Sequence, residues 1–131
     1  MVASYDKDPT VRAEILRRYE FRRGFARRWI SSTGTIVDLR LYQFSSPELA
    51  RGFSAEDQLA NGFAWGQADP IPEAPGGLTY ARSTTDAHGY AQTLSTVLVG
   101  DVMVVLITSQ LPPVQASIAN RILAAEYSLL C

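Results

Sequence analysis

The stretch RRYEFRRGFARRW, Arg17 to Trp29, decides the topology. It is read either as one long helix or as two unlike elements. Three arginine pairs recur at five-residue steps, with Tyr19, Phe21, Phe25 and Trp29 among them. On a continuous helix each step turns by about 140°, so the pairs scatter around the axis and make no basic stripe. From Phe25 onward the pattern has period two, with Phe25, Arg27 and Trp29 on one side and Ala26, Arg28 and Ile30 on the other. That is the rhythm of a strand. The sequence therefore predicts a helix that opens at Asp8-Pro9, an N-cap carboxylate followed by proline at the first helical position. Val11, Ile15, Leu16 and Tyr19 form its apolar face, and Gly24 ends it as a left-handed cap.

Working outward, Ser31-Ser32-Thr33-Gly34 has turn chemistry. Thr35 to Phe44 then alternates Val37, Leu39 and Leu41 against Asp38, Arg40 and Tyr42. Residues Phe25 to Phe44 read as a β-hairpin. Ser46-Pro47 starts a second helix with Leu49, Ala50 and Phe53 inward, fading near Asn61-Gly62. Gly66 to Gly77 carries three prolines and reads as a long loop. Strands follow at Leu78 to Ser83 and Gly89 to Val99, and Gly100-Asp101 turns into the unbroken apolar run Val102 to Ile107. Such a run suits a central strand covered on both faces. Pro112-Pro113 opens a last helix with Val114, Ile118, Ile122, Ala125 and Leu129 at helical spacing. The fold class is α+β: one mostly antiparallel sheet of about five strands with helices packed on it, in the order α-ββ-α-βββ-α.

A chain of 131 residues makes one domain, 1–131, and 47% apolar with 19% charged residues is a globular composition. Net charge is −1, but residues 1–28 carry +4 and the remainder −5. This asymmetry marks either a docking face or a basic opening lying against an acidic body. Cys131 is the only cysteine, which excludes intramolecular disulfides and thiolate metal clusters. No apolar run approaches the ~20 residues of a membrane span. Arg17-Arg18 is followed by polar residues rather than an apolar segment, so a twin-arginine export signal is not indicated.

Few chemistries fit. With one histidine and one cysteine the common zinc, iron and copper sites cannot be built. No phosphate-cradling or dinucleotide-binding glycine pattern occurs, and no cofactor is implied. His88, with Asp86 and Tyr90 two residues to either side, could form a base oriented by a carboxylate. The same residues serve equally as a hairpin tip. Cationic and aromatic residues alternate in nucleic-acid grooves, but the slightly acidic chain has no recognition motif, and nucleic acid is disfavoured as a partner. A third candidate is the sheet face opposite the helices. There Asp38, Arg40 and Tyr42 would lie beside Arg27 or Arg28, Thr93 and Ser95, roofed by Phe63 and Trp65. From this surface Arg27, Arg28, Arg40, Tyr42 and Trp65 are the ligand-binding candidates, suited to an anionic or glycan-like ligand. The alternative is a solvated outer face.

The segments GFARRW and TIVDLRLYQFSSPELA, running from Gly24 to about Phe53, resemble small extracytoplasmic domains of bacterial lipoproteins. They also resemble sensor domains of some receptor kinases, mainly of high-GC Gram-positive bacteria. The resemblance implies an α+β fold, an extracytoplasmic location and no shared catalytic set. The chain departs from the pattern in having no lipobox and no cysteine pairs. Taken together, the expectation is a non-enzymatic ligand-binding or sensing module of the cell envelope, its partner a small molecule or a protein. The alternatives are a small cofactor-independent enzyme of the cyclase or isomerase type, and a protein-interaction, homodimeric or polyanion-binding module.

Overall fold

The chain is described by a computed structural model covering residues 9–31, 34–72, 74–85, 89–111 and 116–130. The elements are α1 (Pro9–Arg18), β1 (Phe21–Ile30), β2 (Ile36–Phe44), α2 (Pro47–Trp65), β3 (Ala68–Pro70), β4 (Leu78–Thr85), β5 (Ala91–Val99), β6 (Val102–Gln110) and α3 (Ala116–Leu130). The strands form one sheet in the order β1-β2-β6-β5-β4-β3, and every neighbouring pair is antiparallel. The class is α+β as the sequence indicates. The sheet has six strands rather than five, because Ala68–Pro70 in the proline-rich loop pairs with β4.

The arginine-rich opening is divided between helix and strand, but Gly24 is not the divider. The helix closes at Arg18, and Glu20 takes the left-handed conformation with φ 55°. Its N–H donates to Arg17 at 3.1 Å, and Ser45 Oγ donates to its carboxylate at 3.1 Å. The chain then enters β1 at Phe21, whose ring packs 5.9 Å from Tyr42 and 6.0 Å from Phe44. Pairing with β2 satisfies the backbone groups on one side of the strand and half-buries this ring, which is how tertiary contacts override a local helical preference. The pairing shifts register between Phe21 and Arg23, a bulge at the start of the strand. Gly24 lies inside β1, opposite Tyr42.

β6 is central, between β2 and β5, and its apolar run serves two layers at once. Met103 and Val105 join Ile15, Phe44, Phe53 and Leu94 under α1 and α2. Val104 and Leu106 join Val37, Leu39, Val97 and Leu123 beneath α3. Both faces of the sheet therefore carry helices, and the bare opposite face expected from the sequence does not exist. Thr93 and Ser95 do not share a face with Asp38, Arg40 and Tyr42; they belong to the α3 side with Val97. The reason is registry: β5 pairs with β6 so that Ser95 opposes Leu106 while Leu94 opposes Ile107.

α2 begins as its sequence indicates: Ser46 Oγ accepts from the Leu49 N–H at 3.2 Å, with Pro47 in the first turn. It continues past Asn61-Gly62 to Trp65 and is closed by Gly66 at φ 89°. Asn61 does not break the helix because it is turned inward, where its amide donates to the buried Asp57 carboxylate at 3.1 Å. Phe44 and Phe53, both fully buried with ring centroids 4.9 Å apart, knit α2 to β2. Burial of each such ring contributes about 1.5–3 kcal/mol.

Candidate functional site

β1 projects beyond the helices. Phe21 and Trp29 are half-buried, while residues 22 to 28 are exposed throughout. Because its side chains alternate, the strand presents two different surfaces. Gly24, Ala26 and Arg28 stand opposite Tyr42, Arg40 and Asp38 on the face that carries α1 and α2. Arg23, Phe25, Arg27 and Trp29 stand opposite Gln43, Leu41, Leu39 and Val37 on the α3 face.

An open hollow of about 430 Å³ lies beside Gly24 and Ala26; a Cβ at Gly24 would stand 3.1 Å from the Phe21 ring, which takes up the space over that residue. Its walls include Arg28, Arg40, Asp38 and Tyr42, and Phe25, Arg27 and Leu41 complete the lining. Arg40 donates to Asp38 at 3.2 Å. Partial burial opposes its charge, but hydrogen bonds to Tyr42 and Asp38 prevail and hold the guanidinium more firmly protonated than usual. Arg40 is thus fixed in place by its neighbours. Among the described residues Arg28 has no carboxylate partner. Three guanidinium groups against one carboxylate leave the lining with a positive surplus.

Two further hollows continue along the same strand. One of about 240 Å³ lies on the α3 face between Phe25, Leu41, Val102 and Leu130, with Arg23 and Gln43 at its end. The other, about 370 Å³, is lined by Arg22, Arg23, Gln43 and Asp101. Arg23 donates to Gln43 at 2.5 Å, and Gln43 donates in turn to Asp101 at 3.2 Å.

Four of the five ligand-binding candidates from the sequence gather here. Arg28, Arg40 and Tyr42 share one face, and Arg27 lies at the border, its guanidinium stacked 5.1 Å above the ring of Trp29. Trp65 is elsewhere: it is buried at the end of α2 and lies under Arg82, whose guanidinium sits 4.0 Å from the ring. The Phe63 side chain lies outside the described residues. So do Asp86 and His88 of the proposed base, while Tyr90 is half-buried before β5. Among the described residues no three His, Cys, Asp or Glu side chains gather, and no helix is long and apolar enough to cross a membrane.

Gly24, Leu41, Val102 and Leu130 were not legible as site residues in the sequence. The small Ala26 between larger neighbours was the available sign, since a methyl group on a strand face leaves a depression. Leu130 reaches the strand only because α3 folds back across the sheet.

Among solved structures, the chain is similar to the extracellular domain of PknH from Mycobacterium tuberculosis. The TM-score is 0.67 at 10% sequence identity, over 89% of this chain and 68% of that one. At this identity the likeness is one of fold. No protein-family model and no curated protein matches the chain.

Proposed function

We propose that this chain is a non-enzymatic, extracytoplasmic ligand-binding module that senses an anionic ligand at the β1–β2 surface. The observation that carries this reading is the open hollow beside Gly24 and Ala26, walled by Arg28 and Arg40 with Tyr42 next to them. Fixed guanidinium groups suit carboxylate or phosphate oxygens, which they bind through paired N–H donors. Arg40 is preorganised by Asp38, so little freedom is lost when it engages a ligand. The fold likeness to an extracellular domain supports the envelope location.

The test is a titration with citrate and with inorganic phosphate, followed by the backbone amide signals of β1 and β2. Binding weakens about tenfold in Arg28→Ala and in Arg40→Ala, the loss of one charge-assisted hydrogen-bonded contact. It also weakens as salt rises, because the contact is exposed. Affinity for both anions that is unchanged in the two variants would sink the reading.

A further inference from the structure

The sheet's two edges are built differently. At one end β3 is three residues long and ends in Pro70, a blunted edge. At the other, β1 runs for ten residues and pairs only with β2; among the described residues nothing pairs with its outer side. An uncovered strand of this length offers a row of N–H and C=O groups to another extended chain. The flanking side chains give that row a sign. Among the described residues Arg22, Arg23, Arg27 and Arg28 make no ion pair with a carboxylate.

We infer that the outer edge of β1 is a docking site for an extended acidic peptide, which adds to the sheet as a seventh strand with acidic and apolar side chains in alternation. The inference rests on the anion-binding reading above and names the partner. In strand addition, main-chain hydrogen bonds supply affinity and the pockets for alternate side chains supply specificity. Both parts are present. On the α1/α2 face the hollow beside Arg28 and Arg40 takes acidic side chains. On the α3 face Phe25, 55% exposed, and Leu130 border the smaller hollow and take apolar ones. The two arginines on that second face are already engaged, Arg23 with Gln43 and Arg27 with Trp29.

Charge also selects against a second copy of this chain. Antiparallel self-pairing centred on Phe25 sets Arg23 against Arg27, and like charges directly opposite are destabilising. The same register sets Arg22 against Arg28, so Arg28, which attracts an acidic strand, also discourages self-association.

The probe is a synthetic peptide of alternating Glu and Val, about eight residues long, the length of an ordinary strand. Its comparison is the same peptide N-methylated at every second amide, which keeps the side chains and removes the donors of one edge. The intact peptide binds and slows hydrogen exchange across residues 21–30. The N-methylated form binds at least about tenfold more weakly, as loss of several main-chain hydrogen bonds requires. Equal affinity of the two peptides overturns strand addition while leaving anion binding intact. Failure of both peptides alongside binding of citrate does the same. Loss of citrate and phosphate dependence on Arg28 and Arg40 is the separate failure of the underlying reading. A doubled mass in solution with residues 21–30 protected before any peptide is added shows that a second copy holds the edge, and this too overturns the inference.

Discussion

The hydroxyl of Tyr19 donates to the carboxylate of Glu56 at 2.5 Å, joining the end of α1 to the middle of α2 across 37 residues of chain. The Tyr19 ring stands edge-on to Phe53 at 5.9 Å, so one side chain carries both an apolar and a polar tie. Arg18 approaches the same carboxylate at 3.5 Å. With only ten residues, α1 is shorter than an isolated helix that is stable in water. Its place depends on such contacts.

Tyr19→Phe keeps the ring and loses the hydrogen bond, and costs about 1 kcal/mol in urea unfolding. The same variant alters the alkaline limb of stability. The hydrogen bond to Glu56, then burial, and then the nearby negative charge raise the Tyr19 phenol above its ordinary range; Arg18 offsets this in part. Tyr80 is raised too, by burial and then by the charge of Asp57. A folded pKa above the unfolded one means that the fold favours the protonated phenol. The stabilisation is complete below the free tyrosine value near 10 and is lost as pH rises through the folded value. Phenolate absorbance should show Tyr19 and Tyr80 ionising late, and Tyr19→Phe should remove one of the two late transitions.

Gly52→Ala, a change that ordinarily strengthens a helix interior by about 1 kcal/mol, is expected to destabilise this protein. A Cβ at residue 52 would sit 2.8 Å from Tyr19 Cε1. The ring cannot withdraw without giving up Phe53 or Glu56. The net cost is about 1–3 kcal/mol, the scale of overpacking, read as a lower urea midpoint. Combining Gly52→Ala with Tyr19→Ala should recover most of that increment, since the clash then disappears.

Among the described residues Glu20 is the non-glycine residue with positive φ, and Glu20→Gly relieves a left-handed conformation that costs an L-residue about 1 kcal/mol. The bond lost from Ser45 is exposed and worth less. The expected result is a gain of about 0.5 kcal/mol in thermal or urea unfolding, with anion binding at Arg28 and Arg40 unchanged.

Thr93 and Thr108 face each other across β5 and β6 and share a hydroxyl hydrogen bond with no exposed surface. Thr93→Val or Thr108→Val alone strands one buried hydroxyl and costs about 1–3 kcal/mol. The double replacement removes both polar groups while keeping the shape, and is expected to be nearly neutral. A double-mutant cycle in urea measures the coupling. Strict additivity of the two losses would contradict the pairing.

Much of the architecture was legible because local chemistry and the final fold agree. Ser46-Pro47 starts α2 in either view, since a hydroxyl N-cap followed by proline needs only its own turn. The run Val102 to Ile107 announces a strand buried on both faces, since an apolar surface on every side leaves no position for water. The strand rhythm after Phe25 likewise survives in β1. What failed was punctuation. Gly24 looks like a helix stop, yet Glu20 makes the left-handed turn four residues earlier, because packing Phe21 against Tyr42 and Phe44 outweighs the conformational cost at one exposed residue.

The amino-acid order alone determined the α+β class, the hairpin beginning in the arginine-rich segment, and the clustering of positive charge before residue 29. Tertiary structure decided which faces are covered and therefore where a ligand has room. Periodicity assigns side chains to sides of a strand, but it does not say which helix lies over each side. Here α1 and α2 cover one face and α3 the other, so Trp65 and Thr93 are enclosed. Arg22, Arg23, Arg27 and Arg28 are left exposed together on β1, where the helices do not cover the strand.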